Sequence, residues 1–213
     1  MKRRREGIEK GSEIRSAIQE LSLVKAEGQI STKPFLNVCN LVLQFLDKIG
    51  PTMSVLRQDV HQNIQRLEEL YESDPLSYSN LVNILKREVD QGFARRATSC
   101  SRALVWLTRT LDCTVALLEK LEKDPGQSIE QIVEESYNAT LKPWHGWISS
   151  AAYKVALKLV PENNTFIRLL LAEEEECSIL KEEIQTLVSL LLPILNEIHA
   201  ILSTFRLDRL KAI

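Results

Sequence analysis

Between about residues 94 and 123 the chain contains neither Gly nor Pro, and Leu104, Leu107, Leu111, Val115, Leu118 and Leu121 recur at three- and four-residue intervals. That spacing lines one face of a long helix with an apolar seam. The same periodicity fills most of the chain. Phe35, Val38, Leu41, Val42, Phe45 and Leu46 repeat it until Gly50-Pro51, and Leu81, Ile84, Leu85 and Val89 repeat it from about Asn80. Only seven Gly and seven Pro occur in 213 residues, too few for a many-turned sheet protein, and no alternating run of strand length stands out. The fold class expected is all-α, with about eight helices and short connections.

In chain order, residues 1–31 are read as a polar N-terminal extension, partly disordered or helical, with a weak helical pattern in Ile14, Ile18, Leu21 and Val24. Residues 32–213 are read as one domain. Pro34 suits a helix start after Thr32 or Lys33. A second helix runs to about Glu72, before the turn at Ser73-Asp74-Pro75, and the long helix stops at Asp124-Pro125-Gly126. Ser128 and Gln131 form a candidate capping box. The helix that follows meets Pro143 and Gly146, which should kink or restart it, and continues to Val160. A short helix ends near Ala172, and the last, about 173–210, is bent at Pro193.

Several function classes are disfavoured. A formal net charge of −2 gives no field suited to nucleic acid. The basic start Met1-Lys2-Arg3-Arg4-Arg5-Glu6 has no apolar run behind it, so it reads as a solvated tail and not as a secretory signal. The most apolar run, Leu187 to Leu195, is interrupted by Ser189 and Pro193 and is too short to span a bilayer. Cys39, Cys100, Cys113 and Cys177 show no CxxC spacing and read as reduced, in a cytoplasmic protein. No HExxH or ExxH ligand set, phosphate-cradling glycine loop or nucleophile elbow is present, so no metal, cofactor or enzymatic activity is expected. Asp59 with His145 is conceivable as an acid–base pair, but nothing supplies a nucleophile.

What remains is polar and aromatic. On a helix, Asp59, Asn63 and Arg66 fall at i, i+4 and i+7 and form one stripe. Leu56, Val60, Ile64 and Leu67 form a second stripe one residue further round. An acceptor, an amide and a guanidinium fork thus edge an apolar face, as at the rim of a pocket. Trp106 adjoins the long helix's seam, and Trp144, His145 and Trp147 cluster around Pro143 and Gly146. Taken singly, each has an ordinary structural reading: a polar surface face, a core tryptophan, a satisfied histidine, a buried aromatic pair.

Together they carry a resemblance. From about Thr32 onward the chain resembles the glycolipid transfer protein family, through Asp59-x3-Asn63-x2-Arg66, Ala103-Leu104-Val105-Trp106-Leu107-Thr108-Arg109, Leu141-Lys142-Pro143-Trp144-His145-Gly146-Trp147, and an acidic start to the last helix, Glu173 to Glu176 and Cys177. The resemblance implies a two-layer helical sandwich that carries one sphingolipid between membranes. In the family's sugar-binding branch, the Asp59 position bonds the sugar and the ceramide amide N–H. The Asn63 position and a lysine at the Arg66 position hold sugar hydroxyls. The Trp106 position is a platform for the sugar ring, and the His145 position donates to the amide carbonyl. Membrane contact is associated with Trp147, and Trp144 is expected to share its face. Leu56, Leu141 and Tyr153 are expected to line the apolar tunnel.

The phosphate-binding branch, which carries ceramide-1-phosphate, has a basic residue at the Asn63 position and Arg at the Trp106 and Thr110 positions. Here those positions are amide, aromatic and hydroxyl, which suits a sugar such as that of glucosylceramide. Arg66 in place of lysine is the better phosphate fork, and Arg109 lies close by. The C-terminus, Asp208-Arg209-Leu210-Lys211-Ala212-Ile213, differs from the Tyr-Lys-Val ending that closes the site in some members. The resemblance therefore implies a non-enzymatic glycosphingolipid carrier, cytoplasmic with transient peripheral membrane contact. Ceramide-1-phosphate transfer and a lipid sensor acting through a protein partner are the alternatives.

Overall fold

A computed structural model describes residues 12–26, 28–171 and 177–212. The basic start at residues 1–6 and the acidic run Glu173–Glu176 lie outside the described residues, as does the side chain of Cys177. Among the described residues there are nine α-helices: α1 (Glu13–Val24), α2 (Thr32–Ile49), α3 (Ser54–Ser73), α4 (Leu81–Asp90), α5 (Cys100–Lys123), α6 (Ile129–Thr140), α7 (Trp147–Leu157), α8 (Asn163–Leu170) and α9 (Cys177–Thr204). The chain is all-α, apart from a two-residue hairpin, Lys25–Ala26 with Gln29–Ile30, that turns the chain between α1 and α2.

The ninth helix arises where the sequence left a choice between kink and restart. Pro143 has no N–H to continue α6, and the chain turns through residues 141–144 before α7 begins after Gly146. Residues 1–31, read as an extension, contain α1. Its Ile14, Ala17, Leu21 and Val24 are buried in the common core against α2 and α9, so this segment contributes to the fold.

The helices form two layers. α2 packs on α1, α3 and α8, while α5 packs on α3, α4, α6 and α9. α5 is the most enclosed element: its seam from Leu104 to Leu121 is buried, and so are Arg102, Thr108 and Arg109. α9 is long and apolar enough to cross a membrane by length and composition. In this fold its Ile184, Leu191, Ile198 and Leu202 are buried, and it packs on α5 and α1.

Two local expectations are corrected by tertiary contacts. The Ser128 side chain makes no cap bond. Instead Asn163, at the start of α8, accepts from Ile129 N at 2.9 Å and donates to the Gln127 carbonyl at 2.7 Å. Gln131 donates to Glu135, one turn on. The long helix begins at Cys100 rather than near Ala94. There the buried Glu88 carboxylate of α4 accepts from the Cys100 and Ser101 amides at 2.8 and 2.6 Å, while Ser99 Oγ accepts from Arg102 N at 3.0 Å. A carboxylate on otherwise orphaned amides at a helix N-terminus is favourable through both hydrogen bonding and the helix dipole. The last helix ends at Thr204, short of the expected Leu210. Arg206 adopts a left-handed φ of 57° and Leu207 N bonds back to the Leu202 carbonyl at 2.8 Å, a helix-terminating turn.

Glu88→Ala leaves two buried amides without acceptors. It is expected to lower unfolding free energy by about 2 kcal/mol, measured by urea denaturation, with Glu88→Gln losing less because its amide oxygen still accepts one bond.

Candidate functional site

A cavity of about 640 Å³ opens between the two layers. Its apolar wall comes from α2 (Val42, Phe45), α5 (Leu111, Leu118), α8 (Phe166) and α9 (Leu187). This volume falls within the range of small-molecule sites. Polar lining side chains include Asp59, Asn63 and Arg66 of α3, Arg102 and Trp106 of α5, and His145 from the α6–α7 turn. The structure therefore brings the five expected headgroup residues to one cavity, and Leu56, Leu141 and Tyr153 line it too. Leu56, 40% exposed, belongs to its rim rather than its depth.

The α3 stripe forms as its spacing requires. Val60, Ile64 and Leu67 are buried, which turns Asp59, Asn63 and Arg66 along the cavity edge. Asn63 is itself buried and donates to the Asp59 carbonyl at 2.9 Å, which fixes its amide. The Asp59 carboxylate stays open to solvent at one side. The surrounding wall raises its pKa by desolvation, and Arg66 works in the opposite direction.

His145 is held by tertiary contacts. Its Nδ1 lies 3.1 Å from the Tyr137 hydroxyl of α6, and its ring packs 5.2 Å from Trp106, tilted by 35°. Burial, then the nearby Arg109 charge, lowers its pKa, so the imidazole is neutral at pH 7. Tyr137 in turn stacks on Tyr153 with ring centroids 3.4 Å apart. An aromatic wall thus runs from Trp106 to Tyr153.

Trp144 and Trp147 do not share a face. Trp144 is half-buried with Arg109 Cζ 4.0 Å from its ring centre, and its carbonyl accepts from Ala212 N at 2.9 Å. Trp147 opens α7 and is 82% exposed. The difference arises because the chain restarts at Gly146, which breaks the three-residue helical spacing that would have aligned the two rings. Ile148 and Val155 on α7 and Val55 and Leu56 on α3 are exposed as well. Ile148, Val155, Val55 and Leu56 also line the cavity, so its opening is rimmed with exposed apolar side chains.

Closure of the site was not legible in the sequence. Arg109 donates from Nη1 to the Leu210 carbonyl at 2.6 Å and from Nη2 to the Asp208 carbonyl at 2.8 Å. Arg102 donates from Nη1 to the Lys211 carbonyl at 2.6 Å. These bonds lay the C-terminal backbone over α5 and bring Ala212 to the cavity. Arg109 does not line that cavity; burial pulls its pKa down to about 10, against the opposing pull of Asp112. It faces a separate cavity of about 150 Å³ with Asp112, His199 and Asp208. Sequence reading missed Arg102, Tyr137 and Ala212. Arg102 alone had a signal, as the residue one turn before Trp106 on the same helix face.

Among the described residues no cluster of His, Cys, Asp and Glu is arranged to hold a metal. The arrangement offers neutral and charged hydrogen-bonding groups above an apolar cavity, which suits a ligand with a polar head and long hydrocarbon.

The two characterised imidazoles should titrate apart. His199 bonds the Asp112 carboxylate at 2.9 Å, which raises its pKa, whereas that of His145 is lowered. NMR titration is expected to place the His199 midpoint above the ordinary value of about 6.5 and His145 below it. By linkage, the His199 contribution to stability is complete below the unfolded pKa and is lost as pH rises through its folded pKa. The His145 contribution is present above the unfolded pKa and is lost as pH falls through its folded value.

Comparison with known proteins agrees with this geometry. Residues 30–172 match the glycolipid transfer protein (GLTP) family. Glycolipid transfer protein 3 of Arabidopsis thaliana is 54% identical over 217 residues, covering 95% of this chain and 93% of its own. Glycolipid transfer protein 2 of the same plant is 51% identical, with both chains covered in full. Among solved structures, the FAPP2 domain described as selecting simple glycosphingolipids with the GLTP fold superposes with a TM-score of 0.83 at 23% identity, covering 95% of this chain and all of that one. Human ceramide-1-phosphate transfer protein in complex with 12:0 ceramide-1-phosphate gives 0.83 at 18% identity, over 93% and 99% of the two chains. The chain is a member of the glycolipid transfer protein family.

Proposed function

We propose that this protein is a non-enzymatic carrier that takes one glycosphingolipid, such as glucosylceramide, from one membrane and delivers it to another. The observation that carries this reading is the joining of Asp59, Asn63, Trp106 and His145 on one cavity whose remaining wall is largely apolar. A sugar offers hydroxyls and a ring face. Asp59 accepts from hydroxyls, Asn63 both donates and accepts, and Trp106 supplies the flat surface. A ceramide amide has one donor and one acceptor. Asp59 accepts from its N–H. When the Tyr137 hydroxyl donates to Nδ1, the neutral His145 carries its proton on Nε2 and donates to the carbonyl.

The energetic need is clear. At about 0.8 kcal/mol per CH₂, exposing a chain of about sixteen carbons to water costs ~12 kcal/mol, so unassisted exchange is slow. An apolar cavity reached directly from the bilayer removes most of that barrier without chemistry on the lipid. In this reading Trp147, Ile148 and Val155 form the foot that enters the interface, and Lys142, Lys154 and Lys158 sit at the headgroup level. Trp144 assists indirectly, by holding Arg109 and the C-terminal backbone. Such a carrier works in the cytoplasm and meets membranes transiently.

Transfer of fluorescent glucosylceramide between vesicles tests the reading. Wild type is expected to move it, while Asp59→Val and Trp106→Ala each reduce the rate at least tenfold, a loss of about 1.4 kcal/mol or more. Trp147→Ala is expected to weaken vesicle sedimentation while leaving Trp106 fluorescence responsive to a soluble short-chain glucosylceramide. Binding of glycolipid without transfer by wild type would favour the sensor reading, and movement of ceramide-1-phosphate alone would overturn the sugar assignment.

A further inference from the structure

A neutral sugar does not explain Arg102. Its side chain stands one helical turn before Trp106 on α5, 9% exposed, in the wall of the cavity. Nη1 is used by the Lys211 carbonyl, while Nε is buried without a hydrogen-bond partner among the described residues. No carboxylate pairs with Arg102 among those residues, and the charge that acts on it is Arg66, a second cation; burial and Arg66 both lower its pKa. Arg66 Nη1 reaches the Ala97 carbonyl at 3.5 Å, which places it beside the start of α5. Asp59 offsets one of these two positive charges. Among the described residues the other has no carboxylate partner at the polar end of the cavity.

A buried guanidinium with an unused N–H and no counter-charge is costly, and its forked donors match an oxyanion. Building on the carrier reading, we propose that Arg102 and Arg66 form an oxyanion subsite beside the sugar platform, so that the lipid carried best bears a phosphoryl or sulfate group in addition to its polar ring. Two sources have this chemistry. A sulfate on the sugar places the anion outboard, and a phosphodiester between ceramide and the ring places it inboard, nearer Asp59.

The test uses the full chain and phosphatidylcholine vesicles containing traces of fluorescent galactosylceramide, its 3-sulfate, or ceramide phosphoinositol. The readout is the ratio of each anionic lipid's transfer rate to that of galactosylceramide. Wild type is expected to favour at least one anionic lipid about tenfold, as a charge-assisted hydrogen bond allows; the lipid favoured locates the anion. Arg102→Gln should bring the ratio near one, and Arg102→Lys should keep part of it. Arg95 donates to the Arg206 carbonyl at 2.6 Å, so Arg95→Gln loosens the same C-terminal backbone without removing a charge from the cavity, and it should keep the wild-type ratio. A wild-type ratio at or below one, a ratio that survives Arg102→Gln, or one lost equally in Arg95→Gln overturns the subsite. If galactosylceramide moves without any anionic preference, the carrier reading stands and the subsite falls. If none of the three lipids moves, the carrier reading fails and the subsite fails with it.

Discussion

The placement of α5 is the constraint on which the rest depends. One helix supplies the sugar platform candidate Trp106, the cavity cation Arg102, the clamp Arg109 and much of the apolar wall, so its axial position must be fixed. Glu88 does this at the N-terminus through two charge-assisted bonds in a buried setting. Along its length, α3, α4, α6 and α9 leave few of its apolar side chains exposed. Because Trp106 and Arg109 share a helix, a single anchor sets both the cavity wall and the closure of the C-terminus.

A helical protein with a large apolar cavity must also resist collapsing into it, since lining side chains lose packing partners on one side. Here the resistance comes from connections around the cavity. The Asn163 bonds fasten α8 to the start of α6, and His199 with Asp112 ties α9 to α5. The C-terminal backbone is held by donors from Arg95, Arg102 and Arg109. α7, by contrast, has no buried residue. The wall nearest the proposed membrane contact is therefore the least packed, which suits a surface that admits a hydrocarbon chain.

Much of the fold could be read from periodicity because each helix carries its own pattern. The seam of α5, the apolar face of α2 and the stripe on α3 are local facts of spacing. The stripe translated directly into the site, since burying Val60 and Ile64 leaves Asp59 and Asn63 only one place to go. Local reading failed where a distant residue took over a local role. Ser128 lost its cap to Asn163, the start of α5 was set by Glu88, and Trp144 was drawn to Arg109 and the C-terminus instead of standing with Trp147. In each case the competing partner is far away in sequence, and no spacing rule reaches it.

The sequence by itself determined the helical class, the rim of Asp59, Asn63 and Arg66, and the break at Pro143 and Gly146, because these follow from side-chain spacing and backbone chemistry within a few residues. Only the tertiary structure decided that Arg102 lines the cavity without a counter-charge among the described residues, that Tyr137 orients His145, and that Arg109 serves the C-terminal backbone. Those outcomes depend on which chain segments meet across the layers, and on whether a buried donor or charge finds its partner there.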